Sequence, residues 1–304
     1  MKLSTRPLPV LPSMTFRYLL TGLVFSMLWA SAGVASKFGL RSMEPLLLYN
    51  SRLFIAGCIL LIISAIQQRK APIPPKSEWK SLLIFGFLNT TMYLGCFIVA
   101  MKTVAAGIAT LTIGTGPLVV GLISTFWLKR PLQKNEIIGF VLGILGVSVA
   151  TFPLLKTSFV STFGLITLAI GIISISTASV YYSQLKTSLS RVAFNGWQVS
   201  IGAMFMLPFT LMTTDLNNNN LNSTALLSIL WLIGPVSIGS MLLWFSLLAK
   251  DPVRASMWLF LCPIFGFTYA KFFLNEPVSY FTLVGTILVV TGLYFGQRAK
   301  LKGV

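Results

Sequence analysis

The chain has no histidine and only six acidic residues among its 304. Without histidine it lacks the commonest catalytic base, the commonest metal ligand and the one side chain that titrates near neutrality. The acidic residues, Glu44, Glu78, Glu136, Asp215, Asp251 and Glu276, all fall at expected loops or helix ends. Cysteine is scarce as well. Cys58, Cys96 and Cys262 lie inside apolar runs, with neither metal-ligand spacing nor a disulfide framework. These absences argue against an enzyme, and no metal or other cofactor is expected. Charge of any sign is thin. Charged residues make up 10% of the chain, against about 25% in soluble domains. Hydrophobic residues make up 55% and the mean hydropathy is +0.85. So few charges cannot cover a globule of this size, so lipid must be the solvent for most of it.

What is present is a series of apolar runs long enough to cross a bilayer. Ten can be marked: 18–36, 46–66, 79–99, 105–128, 136–154, 160–184, 194–213, 225–248, 255–274 and 279–296. The first, Leu19 to Leu28 followed by Ala30-Ser31-Ala32, has the look of a cleavable leader. Its counterpart in the second half argues that it is the first span. Net charge is +17, which in a soluble protein would suggest nucleic acid. Here the basic residues sit in loops and tails and no basic stripe is interleaved with aromatics, so no nucleic-acid partner is expected.

A repeat organises the runs. Leu128, Pro131, Gly139 and Gly146 stand 146 residues before Leu274, Pro277, Gly285 and Gly292, and Pro117 stands 146 before Pro263. The same offset carries Tyr49 to Asn195 and Arg52 to Gln198. Only the third run slips, with Lys102 falling on Lys250 at an offset of 148. Fixed periods of this kind mark duplicated architecture. Two copies of five runs give an all-α polytopic membrane protein of ten transmembrane helices. Because five is odd, the copies are inverted in the membrane. The expected organisation is a cytoplasmic tail (1–17), a first five-helix repeat (18–154), a second (155–298) and a cytoplasmic tail (299–304). With both ends inside, 17 of the 23 Lys and Arg residues fall on the inner side, five fall outside and Arg52 lies within a run. That bias obeys the positive-inside rule for an inner or plasma membrane. It also accounts for Arg130 before the proline of the first copy and Glu276 before that of the second: the copies face opposite sides.

Several residues stand out by type. Pro117 and Pro263 interrupt spans at matched positions, and Gly114 and Gly116 loosen the first break further. A proline removes a helical hydrogen bond, and the freed carbonyl must find another partner in lipid. Each break is either a static kink or a gating hinge at a central site. Arg52 is the one basic residue well inside a span, where a charge costs about 2.5–3.5 kcal/mol. It either clamps backbone carbonyls or meets an anionic group of a substrate; Asn50 and Gln198 could share the role. Gly139, Gly146, Gly285 and Gly292 allow close helix packing, either within the chain or across a homodimer.

The Trp29-Ala-Ser-Ala-Gly stretch, Arg52, the matched prolines and the Asn275-Glu276-Pro277 turn before a glycine-rich last helix together resemble the EamA-type drug/metabolite transporter superfamily. The resemblance covers nearly the whole chain, with one departure: the family turn usually carries Glu in both copies, and here the first has Arg130. It implies a central cavity worked by alternating access and a small-molecule substrate. Trp29, Tyr93, Trp244 and Trp258 fall on helices that line that cavity in the family. Tyr181 and Asn89 join them as aromatic and polar candidates, and Ser31, Thr112, Ser174, Ser176 and Ser240 are further polar ones. The expected function is export or exchange of an amino acid or related zwitterion. The alternatives are uptake of a nucleotide-like or adenosyl metabolite, a lipid flippase, and a membrane sensor that transports nothing. The missing intramembrane carboxylates favour facilitated diffusion or exchange, unless coupling runs through Glu44 or Glu276.

Overall fold

The computed structural model describes residues 16–100, 103–104, 112–155, 161–275 and 279–298. Most of both tails, Lys102, Lys156, and the Glu276-Pro277 turn lie outside the described residues. Ten helical segments occupy the rest: α1 (Phe16–Gly39), α2 (Pro45–Gln68), α3 (Trp79–Ala100), α4 (Thr112–Trp127), α5 (Lys134–Leu155), α6 (Thr162–Gln184), α7 (Arg191–Thr213), α8 (Ser223–Leu248), α9 (Pro252–Leu274) and α10 (Tyr280–Gln297). Eight are long and apolar enough to cross a membrane; α4 is shorter, and α7 is not among the eight. The protein is thus a multi-pass, all-helical membrane protein.

Local chemistry sets where the helices begin. Side-chain oxygens of Ser161, Ser190, Asn222 and Ser279 each accept a backbone N–H from the first turn of α6, α7, α8 and α10. These are favoured N-cap residues because they satisfy donors that the helix cannot. Pro45 and Pro252 open α2 and α9, where a missing N–H costs nothing. Large apolar side chains face outward along the spans: Met212 is 84% and Phe126 81% exposed. A lipid surrounding makes such a surface stable.

Repeat mates pack on one another and run antiparallel. A Cβ built on Gly139 would lie 2.8 Å from the Gly292 carbonyl oxygen, and one on Gly146 would lie 2.7 Å from that of Gly285. Position rises along α5 as it falls along α10. The glycines therefore join the two helices within this chain, backbone against backbone. Helices α2 and α7 pair in the same sense. Asn50 Nδ2 donates to Thr210 Oγ1 near one end, and Gln68 Nε2 to Ser190 Oγ near the other. Around these pairs, α1 packs on α8 and α9, while its mate α6 packs on α3 and α4. This is the arrangement an inverted repeat requires.

Two spans depart from α-helical winding at matched places. Residues Phe87–Met92 of α3 and Leu232–Ser240 of α8 form wider turns of π type, six and nine residues long. Such insertions collect at functional positions. The longer one occurs in the copy with extra residues, so the slip from 146 to 148 has a physical form.

Candidate functional site

A cavity lies between α1, α3, α4, α6, α8 and α9. Its wall is made by Phe25 and Trp29, Asn89 and Tyr93, Ile113, Gly116 and Val120, Ile172, Ile175, Ser176 and Ser179, Met241 and Trp244, and Leu259. Three pairs of these residues are repeat mates: Trp29 with Ile175 and Ile113 with Leu259 at an offset of 146, and Tyr93 with Met241 at 148. The cavity therefore straddles the axis relating the halves. Its two sides differ in chemistry, because the first half supplies Trp29 and Tyr93 where the second has Ile175 and Met241. Phe25 stacks on Trp244 at 4.8 Å between ring centres and approaches Trp29 at 6.0 Å, which makes one wall aromatic.

Among the sequence candidates, Trp29, Asn89, Tyr93, Gly116, Ser176 and Trp244 reach this wall. The others lie elsewhere. Trp258 fills the space above Gly22, where any Cβ would strike its indole ring, and meets Tyr18 edge-on. Tyr181 donates to Ser81 Oγ at 3.1 Å and lies beside Trp127. Asn50 is tied to Thr210, and its Oδ1 is buried without a partner. Gln198 is fully buried and acts behind the wall, accepting from Asn89 and Thr90. Gly114 packs toward Val147. Pro117 restarts α4 after a tight turn at Thr115, and Pro263 follows a 3₁₀ turn at Trp258–Phe260. Neither proline lines the cavity, although Gly116, next to Pro117 in α4, and Leu259, four residues before Pro263 in α9, do.

Arg52 does not line the cavity either. It is 5% exposed, and its guanidinium lies 4.2 Å from the centre of the Tyr49 ring. Its Nε and Nη1 are buried without partners, so the carbonyl clamp is absent among the described residues. Tyr93, on the cavity wall, interacts electrostatically with it. Arg52 therefore lies off the cavity wall, against Tyr49 and near Tyr93.

One end of the cavity is closed by packed rings. Tyr182 and Phe245 stack at 4.4 Å, with Phe85 and Phe194 against both. Beyond them, on the same face, Arg130 of the α4–α5 connection joins the halves. Its Nη1 and Nη2 donate to Glu136 at the start of α5, and Nη2 also donates to Asp251 at the head of α9. Asp251 in turn accepts the N–H groups of Val253 and Arg254, capping α9. Burial alone would lower the Arg130 pKa, but the two carboxylates outweigh it and raise it, so the charge is firmly held. Glu78 makes a second cross-half contact on this face, accepting from Thr187 Oγ1 and Ser188 N. Partial burial opposes its charged form, and those donors prevail, holding its pKa below the ordinary value. Helix α9 records the contrast between the two ends. Pro252 to Pro263 are buried except for Leu259, while every residue from Ile264 to Leu274 is at least partly exposed.

Residue types and spacing alone do not reveal the Arg130–Glu136–Asp251 cluster, nor Phe25, Ile175, Ser179 and Met241 on the wall. The repeat offset, applied to Trp29 and Tyr93, would have found Ile175 and Met241.

Comparison with known proteins agrees with this geometry. A model of the EamA-like transporter family matches twice, over residues 16–152 and 162–296. The chain is 26% identical over 272 residues to "Uncharacterized transporter YoaV" of Bacillus subtilis (strain 168), covering 88% of this chain and 92% of that protein. It is 26% identical over 269 residues to "Protein PecM" of Dickeya dadantii (strain 3937), covering 85% and 87%. A solved structure described as "Crystal structure of protein" superposes with a TM-score of 0.79 at 16% identity, over 92% of this chain and 96% of that one, and so shares the fold.

Proposed function

We propose, from the premise that this chain belongs to the EamA-like transporter family and is a membrane transporter rather than an enzyme, that it exports or exchanges an amino acid or a related zwitterion. The observation that carries this reading is the cavity on the axis between the halves, lined by residue pairs that the duplication relates. A site on that axis is the one place that both halves can expose in turn. In this reading residues 18–154 and 155–298 rock against each other, all ten segments cross the membrane, and both ends are cytoplasmic. Arg52, with two N–H groups unpartnered, receives the substrate carboxylate once Tyr93 gives way. Exchange without a driving ion is the expected mode. The chain has no histidine, and two of its acidic residues, Glu136 and Asp251, are occupied by Arg130.

The test is counterflow in proteoliposomes loaded with a panel of unlabelled amino acids and nucleotides, with and without a pH gradient. Exchange of an amino acid that Arg52→Gln abolishes in folded protein supports the proposal. Accumulation driven by the gradient contradicts the uncoupled mode, and exchange confined to nucleotides replaces the substrate class.

A further inference from the structure

We infer that Asn89 makes the cavity select substrates bearing a hydrogen-bond donor of the primary amine or ammonium type, and that Gln198 is the positioning residue that orients it. The inference deepens the proposed function and rests on the cavity being the transport site. The argument starts at a backbone carbonyl. The oxygen of Ser237, in the wide turn of α8, can only accept. Asn195 Nδ2 donates to it at 3.0 Å. The Asn195 amide is thereby fixed, with Oδ1 accepting from Gln198 Nε2 at 2.9 Å. Gln198 must then present Oε1 to α3, where it accepts from Thr90 Oγ1 at 2.8 Å and from Asn89 Nδ2 at 3.4 Å. Asn89 Nδ2 gives one of its two N–H groups to Gln198, which orients the amide, and Oδ1, which receives no donor from the described residues, is the acceptor offered to the cavity whose wall Asn89 forms. Asn195 and Gln198 are both fully buried, so no water can compensate a reversed amide. Reversing either one would set carbonyl oxygen against carbonyl oxygen, or amide nitrogen against amide nitrogen.

Two serines of the wall agree in polarity. Ser176 and Ser179 give their hydroxyl hydrogens to the carbonyls of Gly116 and Ile175, so toward the cavity each retains only acceptor lone pairs. No charged residue lines the cavity among the described residues. The faces of Trp29, Phe25 and Trp244 attract cations through their ring quadrupoles. Acceptors and aromatic faces without a fixed charge are the surroundings an ammonium group takes. A substrate without a donor would leave Asn89 Oδ1 desolvated and unpaired.

The test uses the purified full-length protein and matched ligands: L-leucine with 4-methylpentanoate and N-acetyl-L-leucine, and L-phenylalanine with 3-phenylpropanoate. Binding is read from indole fluorescence, since Trp29 and Trp244 line the cavity, and exchange from counterflow. The wild type is expected to prefer each free amine on the order of tenfold or more over its partner lacking the amine or carrying it acylated. Asn89→Leu and Gln198→Met should bring that ratio close to one, while Asn89→Asp, which keeps an acceptor, preserves it. A Gln198 that served only the fold would weaken amine and deaminated ligand alike and leave the ratio standing. If Gln198→Met does not fold, the two Asn89 variants decide. A wild-type ratio near one, or a ratio unchanged in Asn89→Leu, overturns the inference even where counterflow upholds transport. Discriminating binding without counterflow keeps the inference and removes the transport reading for these compounds. No binding of any ligand overturns the inference.

Discussion

Replacing Arg130 with methionine removes the guanidinium that bridges two buried carboxylates. Glu136 Oε1 and Asp251 Oδ2 both bind the same Nη2, at 2.5 and 2.8 Å, so they stand no more than about 5.3 Å apart. Their side chains are 0% and 2% exposed. At an effective dielectric constant of about 20, two like charges at that separation repel by about 3 kcal/mol. Breaking a buried pair by removing one partner costs about 3–5 kcal/mol in all. Arg130→Met should therefore unfold earlier in a thermal scan of detergent-solubilised protein by that amount. Adding Glu136→Gln to it should recover about 3 kcal/mol, because the repulsion disappears with one carboxylate. Glu136→Gln alone should destabilise, since Arg130 then keeps only Asp251. The signature is thus a double-mutant cycle with a large coupling term. Additive effects of the two substitutions would refute the reasoning, for they would mean that the three groups do not share one site.

Other expectations follow from the same geometry. Gly146→Val should cost about 1–3 kcal/mol through overpacking, because its new Cβ meets the Gly285 carbonyl, whereas Gly95→Ala, with nothing within 4 Å of its Cβ, should be neutral or stabilising by up to about 1 kcal/mol; thermal unfolding separates the two. The contact of Glu78 with Thr187 and Ser188 should be pH-dependent. Its folded-state pKa is depressed, so its stabilisation is complete above the ordinary value of 4.5 and is lost as pH falls through the depressed one. Protection of the Ser188 amide from hydrogen exchange, taken relative to the intrinsic rate at each pH, should hold from pH 7 to 5 and fall only below. Asp251→Asn keeps the cap of α9, since Asn serves that position well, and weakens the tie to Arg130. In a variant whose three native cysteines are replaced, a cysteine at position 179 on the cavity wall should then be labelled faster by a membrane-impermeant maleimide from the Arg130 face. Unchanged labelling would show that this contact does not hold that end closed.

Much of the fold was legible because hydropathy and duplication are both one-dimensional signals. Helix boundaries agree within a few residues where capping residues such as Ser190 and Asn222 lie close to apolar runs. The site was less legible, since wall position depends on helix rotation and on partners far along the chain. Trp29, Asn89, Tyr93 and Trp244 could be named from residue type and resemblance. Trp258 could not be excluded without seeing Gly22, 236 residues earlier in sequence, open a slot for its ring. Gln198 is the repeat mate of Arg52, yet the two act differently. The amide completes a chain of hydrogen bonds, while the guanidinium keeps N–H groups unpartnered. In the sequence Arg130 marks only sidedness, because its link to Asp251 joins residues 121 apart.

The wide turn of α8 bears on how the gene could diverge after duplication. In regular α-helix, two inserted residues turn everything beyond them by about 200° and push it along by about 3 Å. Trp244 would then face away from the cavity, and Met241 would no longer stand opposite Tyr93. Absorbing the insertion as slack within Leu232–Ser240 spares the downstream register. The middle of the third span is thus a place where length can change by single residues at little cost to the rest. Relatives that take different cargo could differ first in the length of this turn, before any wall residue is exchanged.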